Sequence, residues 1–204
     1  RQGIERNLRE SLAANGERQE ISLDEIYDEL MLRYGLSTAT RNAIYKLEIE
    51  EEIRVMRRRE AGWRLFQAAQ ASGTRIVLIS DMYLSENTIR RILERCGYPE
   101  RITIYLSSTV GLRKHEGHLY HHVRSLEKIN FEHWLHIGDN PHGDDAVPRK
   151  LGIKTHRIAS ANYLIGTNKK LGKLLLDDRK SRSIAESVLF GLIQRRYFDD
   201  PFRL

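Results

Sequence analysis

Three separated stretches of the chain hold side chains that handle a phosphate beside a divalent cation. They are Ser80-Asp81, the loop lysine Lys114, and Gly138-Asp139-Asn140 with Asp144-Asp145 just downstream. Carboxylates bind hard cations such as Mg2+, while a hydroxyl and an ammonium bind phosphoryl oxygens and balance their charge. A carboxylate at a buried strand end is costly without a partner, which marks Asp139 after Ile137-Gly138. Asp144 and Asp145 also suit the first turn of a helix, where the dipole favours acids, so the sequence leaves the choice between these neighbours open.

The elements that must position these residues alternate from Gly73 onward. Residues 74–80 (TRIVLIS) are a β-branched run of the kind found in strands buried on both faces. A helix is expected from Ser85 to Cys96, closed by Gly97. A second strand follows at 102–106, a helix at 116–129, a third strand at 134–138, a short helix at 145–151 and a fourth strand at 153–158. This β-α-β order is the signature of a doubly wound parallel sheet, whose ligands bind at the carboxyl ends of the strands. Ser80, Lys114 and Asp139 all fall at those ends.

Before Gly73 the reading is helical throughout. Ser22 followed by Glu25 is a capping box ahead of the apolar stripe Ile26 and Leu30, and Gly35 is a suitable stop. A further helix starting at Thr38 or Thr40 is expected to turn Ile44, Leu47 and Val55 inward. Another follows over 60–71, with Trp63, Phe66 and Trp134 read as core packing. After about Ser160 the chain turns helical again, and its last ten residues (RRYFDDPFRL) read as loosely structured. The expected division is a helical module over 1–72, an α/β core over 73–159 and a helical extension over 160–204.

ISDMYLS (79–85), GLRKHEGHLY (111–120) and HIGDNPHGDDAVPRKLGI (136–153) together resemble the haloacid dehalogenase superfamily. Their order and spacing fit it, and the nearest likeness is to a bacterial subgroup with an SDMYL second motif, often fused to glycosyltransferases. The resemblance implies an α/β fold, a doubly wound parallel sheet with the helical module as a cap. It also implies Mg2+-dependent phosphoryl transfer from a small phosphorylated substrate. Carried over by position, Ser80 and Lys114 would serve catalysis, and Ser80, Asp81 and Lys114 would bind the phosphate. Asp139 and Asp144 would serve the metal. Dehalogenation of a carbon substrate uses the same fold but needs no metal, so Asp139 disfavours it.

The superfamily's nucleophile is the first Asp of an Asp-x-Asp motif on a central strand. Of the aspartates here, no two stand two residues apart. The resemblance therefore implies a piece of a longer protein that lacks the central first-motif strand. The alternative is a non-catalytic docking or regulatory module, such as one beside a glycosyltransferase domain.

Composition narrows the remaining classes. No apolar run in the 204 residues approaches the length of a membrane span, the N-terminus has no signal-peptide core, and the single Cys96 cannot form an internal disulfide. A cytoplasmic location is expected, with no membrane partner. The net charge is +6, but acids are interleaved with bases and the longest basic block is Arg57-Arg58-Arg59, so nucleic acid is not expected as a partner. His115, His118, His121 and His122 lie at helical spacing, and they are read as part of the loop and helix after Lys114 rather than as a metal site. Cys96 reads as a small buried helix residue, not a nucleophile.

Overall fold

The computed structural model describes residues 2–14, 16, 18–176 and 183–199, and the chain is a mixed α/β protein, mostly helical, with short parallel strands. Helices α1 (Gln2–Ala14), α2 (Leu23–Tyr34), α3 (Thr38–Val55) and α4 (Glu60–Ala71) precede the first strand. The capping box forms as its spacing requires. Ser22 accepts the Glu25 amide, and the Glu25 carboxylate accepts the Ser22 amide at 2.8 Å. Gly35 closes α2 in the left-handed conformation at φ 62°, a geometry that Gly adopts without penalty.

Helix α3 departs from the expectation. Ile44, Leu47 and Val55 are exposed, Leu47 to 59%, whereas Ile49 is 8% exposed. The buried face is the stripe Tyr45, Ile49, Ile53 and Met56, at intervals of four, four and three residues. It wins because Tyr45 and its neighbour Arg41 are anchored to α2: Arg41 donates to Asp24 at 2.8 Å and covers the Tyr45 ring.

Beyond α4, β1 (Val77–Ser80) leads to α5 (Glu86–Arg95), and β2 (Thr103–Leu106) to a one-turn helix α6 (Ser107–Val110) and to α7 (His118–Glu127). β3 (Leu135–Gly138) runs into a π-helical turn (His142–Ala146) and α8 (Val147–Lys150), then β4 (Lys154–Arg157). α9 (Ala161–Thr167), α10 (Lys169–Leu175) and α11 (Ile184–Asp199) follow. The backbone of Arg195–Asp199 is helical rather than loose, and residues 200–204 of the expected loose end lie outside the described residues.

The strands form two parallel pairs. β1 pairs with β2 from Val77↔Thr103 to Ser80↔Leu106, and β3 with β4 from Leu135↔Lys154 to Gly138↔Arg157. Among the described residues no ladder joins one pair to the other. The expected single doubly wound sheet is not seen among the described residues, where the strands stand as two separate parallel pairs, and Leu135 and Ile137 of β3 are exposed.

The main buried cluster does not lie between sheet and helices. Ile21 of the segment before α2, with Leu23, Ile26, Tyr27 and Ile49 of α2 and α3, packs with Leu84 and Ile92 of the first βα unit. Each such aliphatic side chain contributes about 1.5–3 kcal/mol by burial. This core crosses residue 72 and ties the helical module to the loop after β1. Trp63 and Phe66 stack at 5.3 Å with Tyr98 edge-on to both, while free Cys96 caps α5 half-buried. No helix among the described residues is long and apolar enough to cross a membrane.

Candidate functional site

The segments that follow β1, β2 and β3 each deliver one part of a continuous polar chain. Just past β1, the Asp81 carboxylate accepts the backbone amides of Lys114 at 2.7 Å and His115 at 3.3 Å. Asp81 therefore holds the lysine loop from beneath. The Lys114 ammonium then reaches across to donate to Asp144 Oδ1 at 2.5 Å, a nearly buried pair.

Asp144 is held in place by the turn after β3. Asn140 Oδ1 accepts the amides of His142 and Gly143, both at 2.9 Å, which winds the π-helical turn. Asp144 Oδ2 accepts the amides of Asp139 at 3.1 Å and Asn140 at 3.0 Å, and Oδ1 also meets His136 Nε2 at 3.0 Å. Burial would raise the Asp144 carboxyl, but the bonds from His136 and Lys114 and the Asn140 amide outweigh it and hold the group well below the usual carboxylate range. With four donors on two oxygens, Asp144 is engaged in orienting Lys114 and the Asp139 loop.

The other expected residues are less committed. Ser80 ends β1 half-buried, next in chain to Asp81. The Asp139 side chain is 53% exposed, and its charged neighbour is Arg59 at 3.7 Å. Arg59 comes from the segment before α4 and also donates to the Ala159 carbonyl at 2.7 Å. Ser80, Asp81, Lys114, Asp139 and Asp144 thus lie around the carboxyl ends of β1 and β3. Asp81, Lys114 and Asp144 are joined by direct hydrogen bonds, and Asp139 through its backbone.

As a metal site the arrangement is incomplete. Among the described residues no group of three His, Cys, Asp or Glu side chains is placed to hold an ion. Asp139 offers one outward carboxylate and Asp144 is already saturated. The four histidines after Lys114 do not converge on an ion: His118 Nδ1 meets Gln19 Nε2 at 2.6 Å, and the His115 ring lies 4.2 Å from that of His142.

Several residues at this site carry no sequence signal. His136 was legible only as a strand residue, yet it is buried against Asp144 and edge-on to Tyr120 at 5.2 Å. Burial, with the charges of Asp144 and Asp81, pushes the Tyr120 hydroxyl up, so it keeps its proton and donates it to the Gly143 carbonyl at 2.7 Å. Glu20 and Ser107 form a buried pair beside the lysine loop at 3.0 Å. A lone Glu before a hydrophobic residue gives no periodic or motif signal of such a role.

The chain matches no protein-family model and no curated protein.

Proposed function

We propose that this chain is the haloacid dehalogenase-like part of a cytoplasmic phosphohydrolase or phosphotransferase acting on a small phosphorylated substrate. What supports this is one observation: Asp81, Lys114 and Asp144, from three stretches distant in sequence, join in one hydrogen-bonded chain at parallel-strand ends. The division of the strands into β1-β2 and β3-β4 supports it as well. One further parallel strand between β1 and β3 would unite them into a doubly wound sheet, with α1–α4 as its cap.

In this reading Lys114 keeps two N–H donors beyond the one given to Asp144, enough to hold phosphoryl oxygens. The Ser80 hydroxyl would donate a further bond. Asp81, whose carboxylate repels an anion, serves by fixing the lysine loop. Asp139 would be the residue to hold Mg2+, with phosphate and water completing the shell that the described residues leave short. A bound ion would neutralise phosphoryl charge. The 204 residues contain no two aspartates spaced as Asp-x-Asp, so we expect this chain to bind phosphate without turning it over. That same absence favours the second reading, a docking or regulatory module of a larger protein, such as one linked to a glycosyltransferase.

Two measurements test these readings. Calorimetric titration of the chain with inorganic phosphate should show binding, and Lys114→Met should weaken it about tenfold, the value of one charge-assisted bond. Equal affinity in both would overturn the phosphate reading. Magnesium-dependent hydrolysis of p-nitrophenyl phosphate by the full-length gene product, with Asp139→Asn as control, separates enzyme from module. A fall in the variant supports the enzyme, and equal rates leave the docking role.

A further inference from the structure

Residues 19–23 run as a strap across the loops that follow β1 and β2. The Gln19 amide donates to the Gly111 carbonyl at 2.8 Å, and the Leu23 amide to the Tyr83 carbonyl at 2.9 Å. Gln19 Oε1 accepts the Arg113 amide at 3.0 Å, one residue before Lys114. Between these contacts sits Glu20, wholly buried.

A buried carboxylate is costly unless it is paired and hydrogen-bonded, and an apolar side chain would seal the same contact at less expense. The partners of Glu20 show what its charge gathers. Oε1 accepts Arg9 Nε of α1 at 2.6 Å and the Ile21 amide at 3.0 Å. Oε2 accepts the Ser107 hydroxyl at 3.0 Å and lies 3.7 Å from Arg113 Nε. Ser107 Oγ in turn accepts the Met82 amide at 2.8 Å, the residue after Asp81. One carboxylate thus links α1, the loop after β1 and the loop that carries Lys114.

We propose that Glu20 is a positioning residue: through Ser107 and Arg113 it sets the place of Lys114 relative to the N-terminal helices. The functional part of this inference rests on reading the Lys114 loop as the phosphate-holding loop. It follows that phosphate affinity and the seating of α1 and α2 are coupled, each favouring the other by the same factor.

Amide hydrogen exchange on the full chain tests the positioning directly. Glu20→Gln should lower protection about tenfold at Met82 and Arg113–His115, the loss of roughly one buried hydrogen bond, with β3, β4 and α7 unchanged. Ser107→Ala should affect Met82, and Gln19→Ala should affect Arg113; these keep the test available if Glu20→Gln fails to fold. Unchanged protection in these variants, or a uniform loss throughout the chain, would overturn the inference. Titration of the same proteins with inorganic phosphate should show a Kd raised about tenfold in Glu20→Gln, matching the lost protection. A local exchange effect with unaltered phosphate affinity would overturn the coupling. Absence of phosphate binding in the unmodified chain, with the exchange pattern as expected, would count against the phosphate reading while upholding the positioning.

Discussion

The side chain of Asp144 fills the space where Gly138 would carry a β-carbon. A β-carbon added at Gly138 would stand 2.7 Å from the Asp144 Cβ and nearer still to its carboxyl atoms. Because Asp144 is buried and held by four donors, it cannot step aside cheaply. Glycine at the last position of β3 is therefore a packing requirement of the acid six residues further on.

Gly138→Ala should accordingly cost about 1–3 kcal/mol, the usual range for overfilling a packed site. Urea denaturation would measure it. A cost below a few tenths would mean that Asp144 relaxes freely and does not hold the loop.

Acid should weaken the same pair. The folded pKa of Asp144 is depressed below its unfolded value, so its stabilisation is complete above the ordinary aspartate pKa near 3.9 and is lost as pH falls toward the folded value. The unmodified chain should lose stability as pH falls below about 4. Asp144→Asn should be less stable by about 3 kcal/mol at neutral pH, since it strands the Lys114 charge, and should show a shallower acid dependence. Parallel pH profiles for the two proteins would contradict this.

Removal of the α2 cap offers a test remote from the site. Ser22→Ala leaves the Glu25 amide without its acceptor and breaks the reciprocal capping box, at a cost of about 1 kcal/mol. Thermal denaturation would detect it, and an unchanged Tm would show that the neighbouring strap alone fixes the start of α2.

What could be read from the chain was local. Ser22 with Glu25, Ser85 before α5 and the β-branched run ending at Ser80 signal their structure within a few residues, and each forms. The inward face of α3 is ambiguous in the sequence because two apolar stripes share that helix, and the choice between them depends on Arg41 and Tyr45 meeting α2. The separation of the strands into two pairs was equally hidden, since pairing is decided between distant segments. At the site, Lys114, Asp139 and Asp144 stood out by type and spacing. His136 and Glu20 did not, because a buried polar residue is defined by its partners, here Asp144 and Ser107.

The split between β1-β2 and β3-β4 gives the Lys114–Asp144 bond a mechanical meaning. It acts as a clasp fastened across a seam that no sheet hydrogen bond crosses among the described residues. A small anion held by the two remaining N–H donors of Lys114 would leave that bond in place, so anion occupancy and the stiffness between the two strand pairs would rise together.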